Sequence, residues 1–333
     1  MRAVIFQALH TPLSFETLPD PTPADGEVVV HVGRCGICGS DLHMTEDAAY
    51  GCKPGDVLGH EFAGEVVGLG TGVETLKTGD LVSVIPLKSC GTCEHCRKGE
   101  VQWCENFGLQ GGGYAEYATT RPNQCVKLPQ DVSLADGAII EPLAVALHGV
   151  NLSGLKQGDK VLVLGAGPIG LAVAFWVKRM GAAKVAVQDI ADFQQQRALD
   201  MGADVFVVDP ADPIGSAERA LGGKADIVFE CVGIPGLIEQ AVSQVKNRGT
   251  ILLLGLCTRP DTLNTFPMLS KEVKLVTSAF FTKQEYEAAL DALAEGAMEP
   301  RLLVTDTITL DATPDVFESL KARASQCKVL IAP

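Results

Sequence analysis

A chain of 333 residues, 47% apolar and 20% charged, is long enough for two domains with real cores and too apolar to be disordered. Its 27 Lys and Arg against 41 Asp and Glu leave a net charge of −14 with no basic run, which excludes a nucleic-acid backbone as partner. The 35 Gly and 18 Pro are spread along the chain as turn residues and form no low-complexity tract.

The N-terminus, Met1-Arg2-Ala3-Val4-Ile5-Phe6, runs straight into a strand pattern. It lacks the long apolar core and cleavage site of a signal peptide, so a cytoplasmic location is expected. Across the first 130 residues, short apolar runs at 28–32, 57–58, 65–69 and 81–85 alternate with turn signals such as Thr78-Gly79-Asp80. They predict a small barrel-like sheet with long loops. From residue 160 the rhythm becomes strand, helix, strand. Strands are expected at 160–164, 184–188, 205–208, 225–230 and 250–254, and helices at 169–180, 194–201 and 237–245. This alternation predicts a doubly wound parallel sheet, so the fold class is α/β with a second, β-rich domain. The C-terminal segment holds a helix at 284–295 and short strands at 308 and 328–331, which suit either domain. The longest apolar stretch, 161–177, is interrupted by Gly165, Gly167, Pro168 and Gly170, and a membrane span of about 20 residues is not expected.

Gly165-Ala166-Gly167-Pro168-Ile169-Gly170 is G-x-G-x-x-G between a predicted strand and a predicted helix, with Asp189 closing the next strand. Gly165 allows the tight turn, Gly167 the close approach of a pyrophosphate, and Gly170 the packing of helix on strand. Pro168 and Ile169 open the helix, whose N-terminal N–H groups and dipole favour phosphate. Asp189 is placed to accept from the adenosine ribose hydroxyls and to repel a 2′-phosphate, so NAD is expected over NADP.

Eleven cysteines, an odd number, fit no secreted disulfide framework. Four of them, Cys90, Cys93, Cys96 and Cys104, follow C-x2-C-x2-C-x7-C, a spacing that lets one short loop wrap a structural zinc. An iron–sulfur cluster is the lesser alternative. A second set is dispersed: Cys38, Ser40 and His43 in Gly36-Ile37-Cys38-Gly39-Ser40-Asp41-Leu42-His43, then His60-Glu61, then Glu141-Pro142. A catalytic zinc takes three ligands from Cys, His and carboxylate, and Cys38, His60 and one of Glu61 or Glu141 fill that set. A buried thiol, a core histidine and a helix-capping acid account for the same residues equally well by composition.

The stretch GHEFAGEVVGLGTGV, 59–73, matches the signature GHE-x2-G-x5-G-x2-V of zinc-containing medium-chain alcohol dehydrogenases. CGICGSDLH, the four-cysteine lobe, EPLAVALHGV and GAGPIG follow in that family's order, and the resemblance extends over essentially the whole chain. It is nearest the branch of sorbitol, butanediol and threonine dehydrogenases, because Glu141-Pro142 stands where other members carry a cysteine. The resemblance implies a GroES-like catalytic domain from 1–150 and 283–333, with a Rossmann domain at 151–282. It implies two zinc ions per chain, one catalytic and one structural, and hydride transfer between an alcohol and NAD in a reaction giving a ketone. It further implies Cys38 and His60 as catalytic zinc ligands, Glu61 as an exchangeable ligand, and Glu141 as a ligand or the holder of a water. By the same resemblance, Ser40 accepts the alcohol proton and passes it through a cofactor ribose hydroxyl to His43 at the surface.

Departures from the family pattern bear on the substrate. Gln194 stands five residues after Asp189, where many NAD-specific relatives carry a cation. The segment 105–110 is short, and the stretch between His43 and Gly59 is small and polar. Tyr50, Phe107, Leu256 and Phe280 are candidate pocket residues, and the two phenylalanines favour a small or aromatic alcohol over a sugar. The small-molecule partners expected are therefore secondary alcohols or diols and their ketones, with aromatic or primary alcohols as the alternative. Quinone reductases of this fold lack zinc, but the intact Cys38 and GHE motif argue against that reading. A non-catalytic NAD-binding structural protein is a more remote one. Residues 263–281 resemble the family's subunit contact, so a homodimer or homotetramer is expected.

Overall fold

The computed structural model describes residues 1–322 and 325–333, which form two compact units. The first comprises Met1–Glu141, Thr282–Ala297 and Val304–Pro333; the second comprises Pro142–Phe281 and Met298–Leu303.

The first unit is built on the strand Val28–Gly36, whose Val28, Val30 and Val32 are buried among Phe62, Val66, Val82, Val84 and Ile331. Each such side chain contributes about 1.5–3 kcal/mol when fully withdrawn from water. The sheet runs Val304–Thr309, Lys328–Ala332, Val28–Gly36, Glu61–Leu69, Leu81–Val84, Cys125–Lys127, and Tyr117–Thr120 also pairs with Val28–Gly36. Only the first pair is parallel. Register decides what meets: Gly36 lies opposite Glu61 on one side and opposite Leu330 on the other. The chain leading into Cys38, the GHE motif and the C-terminal strand are thereby brought together.

Two expectations change here. The run at 57–58 makes only a single bridge, from Val57 to Ile5. Gly59, at φ +82° and tight against the Tyr114 ring, turns the chain instead, and the strand expected at 65–69 already begins at Glu61. The apolar stretch around Glu141 is a 20-residue helix, Leu134–Ser153, with Pro142 inside it. A continuous apolar run has no helical period to read, and an internal proline argues locally against a helix.

The second unit carries a six-stranded, wholly parallel sheet in the order Val205–Val207, Lys184–Gln188, Lys160–Leu164, Ala225–Glu230, Val245–Leu253, Lys274–Thr277. Numbered along the chain this is 3-2-1-4-5-6, the doubly wound dinucleotide-binding order. The helix Pro168–Arg179 starts on Pro168, buries Gly170 through Val177, and ends on Lys178 and Arg179, which suits its dipole. The crossover helix stops at Gln244, and its strand begins at once with Val245, earlier than expected. The helices Pro213–Leu221, Thr265–Lys271 and Thr313–Lys321 were not foreseen, whereas the edge strand Lys274–Thr277 falls within the stretch 263–281 expected to make the subunit contact. Among the described residues, no helix is long and apolar enough to cross a membrane.

Candidate functional site

Cys38 caps the short helix Gly39–Met44 and lies two residues beyond the end of its strand. Three residues on, Asp41 is fully buried, and its carboxylate gathers donors from three places. Oδ2 accepts from the Cys38 backbone N–H at 3.0 Å and from the Tyr114 hydroxyl at 2.6 Å; Oδ1 meets His60 Nδ1 at 3.2 Å. Burial works to raise the Asp41 pKa, but the His60 charge and these hydrogen bonds prevail and hold it below the usual value. Burial likewise opposes a charged His60, yet Asp41 and Cys38 outweigh it and raise the ring well above an ordinary histidine. With Nδ1 committed to a carboxylate, Nε2 is the nitrogen presented as a ligand, the usual carboxylate–histidine–metal arrangement.

Cys38, His60 and Glu61 each offer a ligand atom, and these atoms lie within 4.8 Å of one another. One sulfur, one nitrogen and one carboxylate oxygen are a donor set that fits a zinc ion with a position to spare. Ser40 donates its hydroxyl to Cys38 Sγ at 3.1 Å, while His43, in the last turn of the same helix, is exposed. Tyr50 is half-buried, and its phenol is raised by burial first and then by the charges of Asp47 and Cys38, which puts it within electrostatic reach of the site.

The Glu61 carboxylate is not isolated. Lys328 Nζ donates to both its oxygens, at 2.8 and 2.7 Å, and to the Ile37 carbonyl at 3.0 Å, with both side chains almost wholly buried. A Cβ on Gly36 would fall 2.1 Å from Glu61 Oε2, so only glycine leaves room for this pair. Glu141 stands outside the 4.8 Å group, and its carboxylate has no hydrogen bond to another described residue. Its carboxyl is pushed up to about 7, by burial first, with Glu61 and Asp41 adding and His60 and Lys328 opposing.

The sulfurs of Cys90, Cys93, Cys96 and Cys104 also lie within 4.8 Å of one another. Backbone N–H groups point at them: Cys90 to Cys104 at 3.2 Å, Cys93 to Cys90 at 3.3 Å, Asn106 to Cys104 at 3.3 Å. Cys90 is lowered to about 5, by the Thr92 hydroxyl first and then by backbone N–H groups. Cys96 is raised to about 12 by burial and by its thiol neighbours. Loop and ligands match a closed four-thiolate zinc site. His95 turns away to Glu100 at 3.0 Å.

In the second unit, Gly165 adopts φ +96° and donates to the Gln188 carbonyl. A Cβ on Gly170 would lie 2.0 Å from the Gly165 oxygen, while Gly167 caps the helix and faces open space, and Pro168 and Ile169 form its first turn. Asp189 Oδ2 accepts from Ala166 N–H at 2.9 Å, so the acid and the loop are tied together. Gln194 is buried, and its Oε1 accepts from Arg197, whose Nε donates to the Leu302 carbonyl at 2.7 Å. A cation therefore does stand on the helix Gln195–Asp200 that Gln194 caps, three residues beyond the expected place. Phe107 belongs to the first unit and is partly exposed. Leu256 and Phe280 belong to the second, where Leu256 is half-exposed and Phe280 sits at φ +58°.

Sequence reading missed Asp41, Tyr114 and Lys328. Asp41 alone had a local signal, as the third residue after a capping cysteine.

Residues 24–130 match the family described as alcohol dehydrogenase GroES-like domain, and residues 168–295 that described as zinc-binding dehydrogenase. The chain is similar to a sorbitol dehydrogenase of Bombyx mori, 31% identical over 95% of this chain and 94% of the relative. It is similar to an (R,R)-butanediol dehydrogenase of Bacillus subtilis, 32% identical over 96% of each. Among solved structures, an alcohol dehydrogenase from E. coli CFT073 complexed with NADH aligns with a TM-score of 0.91 and 29% identity, covering 100% of this chain and 99% of the other. A putative zinc-binding dehydrogenase from Sinorhizobium meliloti 1021 bound to NADP aligns with a TM-score of 0.90 and 32% identity, with the same coverage.

Removing one partner of a buried ion pair strands the other, so Lys328→Met is expected to cost about 3–5 kcal/mol in denaturant unfolding of the metal-free protein. Combining it with Glu61→Gln should restore much of the loss, and a single variant as stable as the parent would contradict the pairing. Glu141 gives a pH dependence whose sign follows from its raised pKa. The fold binds this proton more tightly than the unfolded chain, so the contribution is complete below the ordinary value of 4.5 and lost as pH rises through about 7. Metal-free protein should thus lose stability between about pH 5 and 7, and Glu141→Gln should flatten that slope.

Proposed function

The chain belongs to the zinc-binding alcohol dehydrogenase family, and we propose that it transfers a hydride between a secondary alcohol or diol and NAD, giving the ketone. The observation that carries this reading is the sulfur, nitrogen and oxygen donor set of Cys38, His60 and Glu61, anchored through Asp41. We assign these three as the protein ligands of a catalytic zinc, and Cys90, Cys93, Cys96 and Cys104 as those of a structural one. A zinc ion held by the first set supplies Lewis acidity that makes a bound hydroxyl easier to deprotonate.

Glu61 has lone pairs for both a metal and Lys328, so it joins the donor set without stranding the buried ammonium. Glu141, with its raised pKa and no hydrogen-bond partner among the described residues, is left to bind the polar end of the substrate. Ser40 holds a proton at Cys38 Sγ, and exposed His43 on the same helix suits exchange of a proton with solvent. Tyr50, Phe107, Leu256 and Phe280 remain our candidates for contact with the carbon skeleton.

Gly165, Gly167, Pro168, Ile169 and Gly170 receive the pyrophosphate, and Asp189 the adenosine ribose. Asp189 disfavours a 2′-phosphate, and Arg197 is engaged with Gln194 and Leu302. NAD is therefore the cofactor we assign. All eleven cysteines are free thiols, which suits a reducing compartment such as the cytoplasm.

Initial rates of reduced-cofactor formation across vicinal diols, secondary alcohols, polyols and aromatic alcohols test the reading. NAD should exceed NADP in kcat/KM by about tenfold or more, with Asp189→Ser narrowing the gap. NADP used as well as NAD would contradict the cofactor assignment, and silence with every secondary alcohol, diol and polyol would contradict the reaction class.

We also infer a homodimer or homotetramer through the second unit. Lys274–Thr277 is an exposed edge strand of the parallel sheet, and Phe266 and Leu269 on the helix before it are 71% and 75% exposed. Sedimentation should give an even multiple of the chain mass, whereas a monomer at micromolar concentration would refute this.

A further inference from the structure

We propose that Tyr114 is a positioning residue for the metal site, its phenol fixing the Asp41 carboxylate in the setting that aligns the His60 ring with the Cys38 sulfur. The inference rests on the reading of Cys38 and His60 as metal ligands.

Asp41 touches both ligand residues, taking the backbone N–H of one and the ring of the other. The torsion that turns an aspartate's carboxylate is broad and soft. A single backbone donor on Oδ2 therefore leaves the carboxylate free to pivot, and Oδ1 with it. The Tyr114 hydroxyl, at 2.6 Å, is the second donor on Oδ2 and removes that freedom, so Oδ1 is presented to His60 Nδ1 in one orientation. The ring that carries the hydroxyl is itself immobile. It is fully buried, packs edge-on to Phe317 with centroids 6.4 Å apart, and lies so close to Gly59 that a Cβ there would be 2.3 Å from it. Gly59 immediately precedes His60, so the same ring supports the backbone from which the ligand departs.

The hydroxyl is not needed to fill this space, because phenylalanine has the same outline. Its hydrogen bond is to Asp41, and burial with the Asp41 charge beside it keeps the phenol protonated, a donor at every working pH. A purely structural role would consist of satisfying a buried carboxylate and would end there. A positioning role extends to the metal.

The test compares the parent holoenzyme with Tyr114→Phe, each exchanged with cobalt(II), using the visible spectrum of the cobalt and its release to a chelator. Tyr114→Phe should shift the absorption bands of the Cys38–His60 site and accelerate release from it about 10–100-fold, the range for losing an outer hydrogen bond to a metal ligand. Release from the four-cysteine lobe serves as the internal control and should not change. Added to Asp41→Asn, the same substitution should have little further effect, because Tyr114 acts through that carboxylate. A parental spectrum and release rate in Tyr114→Phe would overturn the proposal, whatever its thermal stability. So would a variant that fails to fold, since that makes the hydroxyl a structural requirement. Absence of cobalt from the Cys38–His60 site in the parent would instead remove the ligand reading, and the proposal with it.

Discussion

Two of the carboxylates buried in the first unit, Asp41 and Glu61, would each cost several kcal/mol as an unpaired charge, and the site follows from how each is compensated. Asp41 is the more consequential. It is fully enclosed, and its donors come from a helix cap, from the strand-entry histidine and from a tyrosine 73 residues away. Each donor answers the cost of burying the carboxylate, and each is thereby fixed in place. The thiol of Cys38 and the imidazole of His60 are set facing one another before any metal arrives. Geometry and charge compensation are here one interaction.

The second pair, Glu61 with Lys328, ties the site to the far end of the chain. Lys328 opens the last strand, 267 residues from its partner, and the register opposite Gly36 brings it in. Its ammonium has three acceptors and each oxygen of its partner accepts from it, so the pair is satisfied as well as buried. Such pairs add little net stability over an apolar core of equal volume. What this one secures is the place of a carboxylate beside a thiol and an imidazole, a donor set that suits a divalent metal. Glu141, lacking a partner of this kind, holds its proton to about pH 7.

The features legible in the sequence are those whose partners are close along it. Four cysteines within one lobe and six residues of glycine loop carry their spacing on their face, and strand–helix alternation revealed the parallel sheet. Cys38, His60 and Glu61 could be gathered as candidates, but composition left the choice between Glu61 and Glu141 open. The ion pair that distinguishes them depends on a strand register that no local pattern encodes. Leu134–Ser153 was hidden for a different reason: buried at almost every position from 136 to 150, it has no polar face to mark its period. Gln194 shows the limit of position-by-position reading, because the missing cation reappears as Arg197 one helical turn later and bonds to the very residue that replaced it.

The central claim is that this preset thiol–imidazole–carboxylate group binds a metal on which turnover depends, separately from the four-thiol lobe. Stepwise chelation of the purified enzyme, with metal content and alcohol oxidation followed on the same samples, tests it most directly. The account predicts two zinc ions per chain at the start, with activity falling in proportion to the first one lost while the fold persists, and returning when zinc is restored. Full activity in protein verified to hold zinc only in the lobe would contradict it.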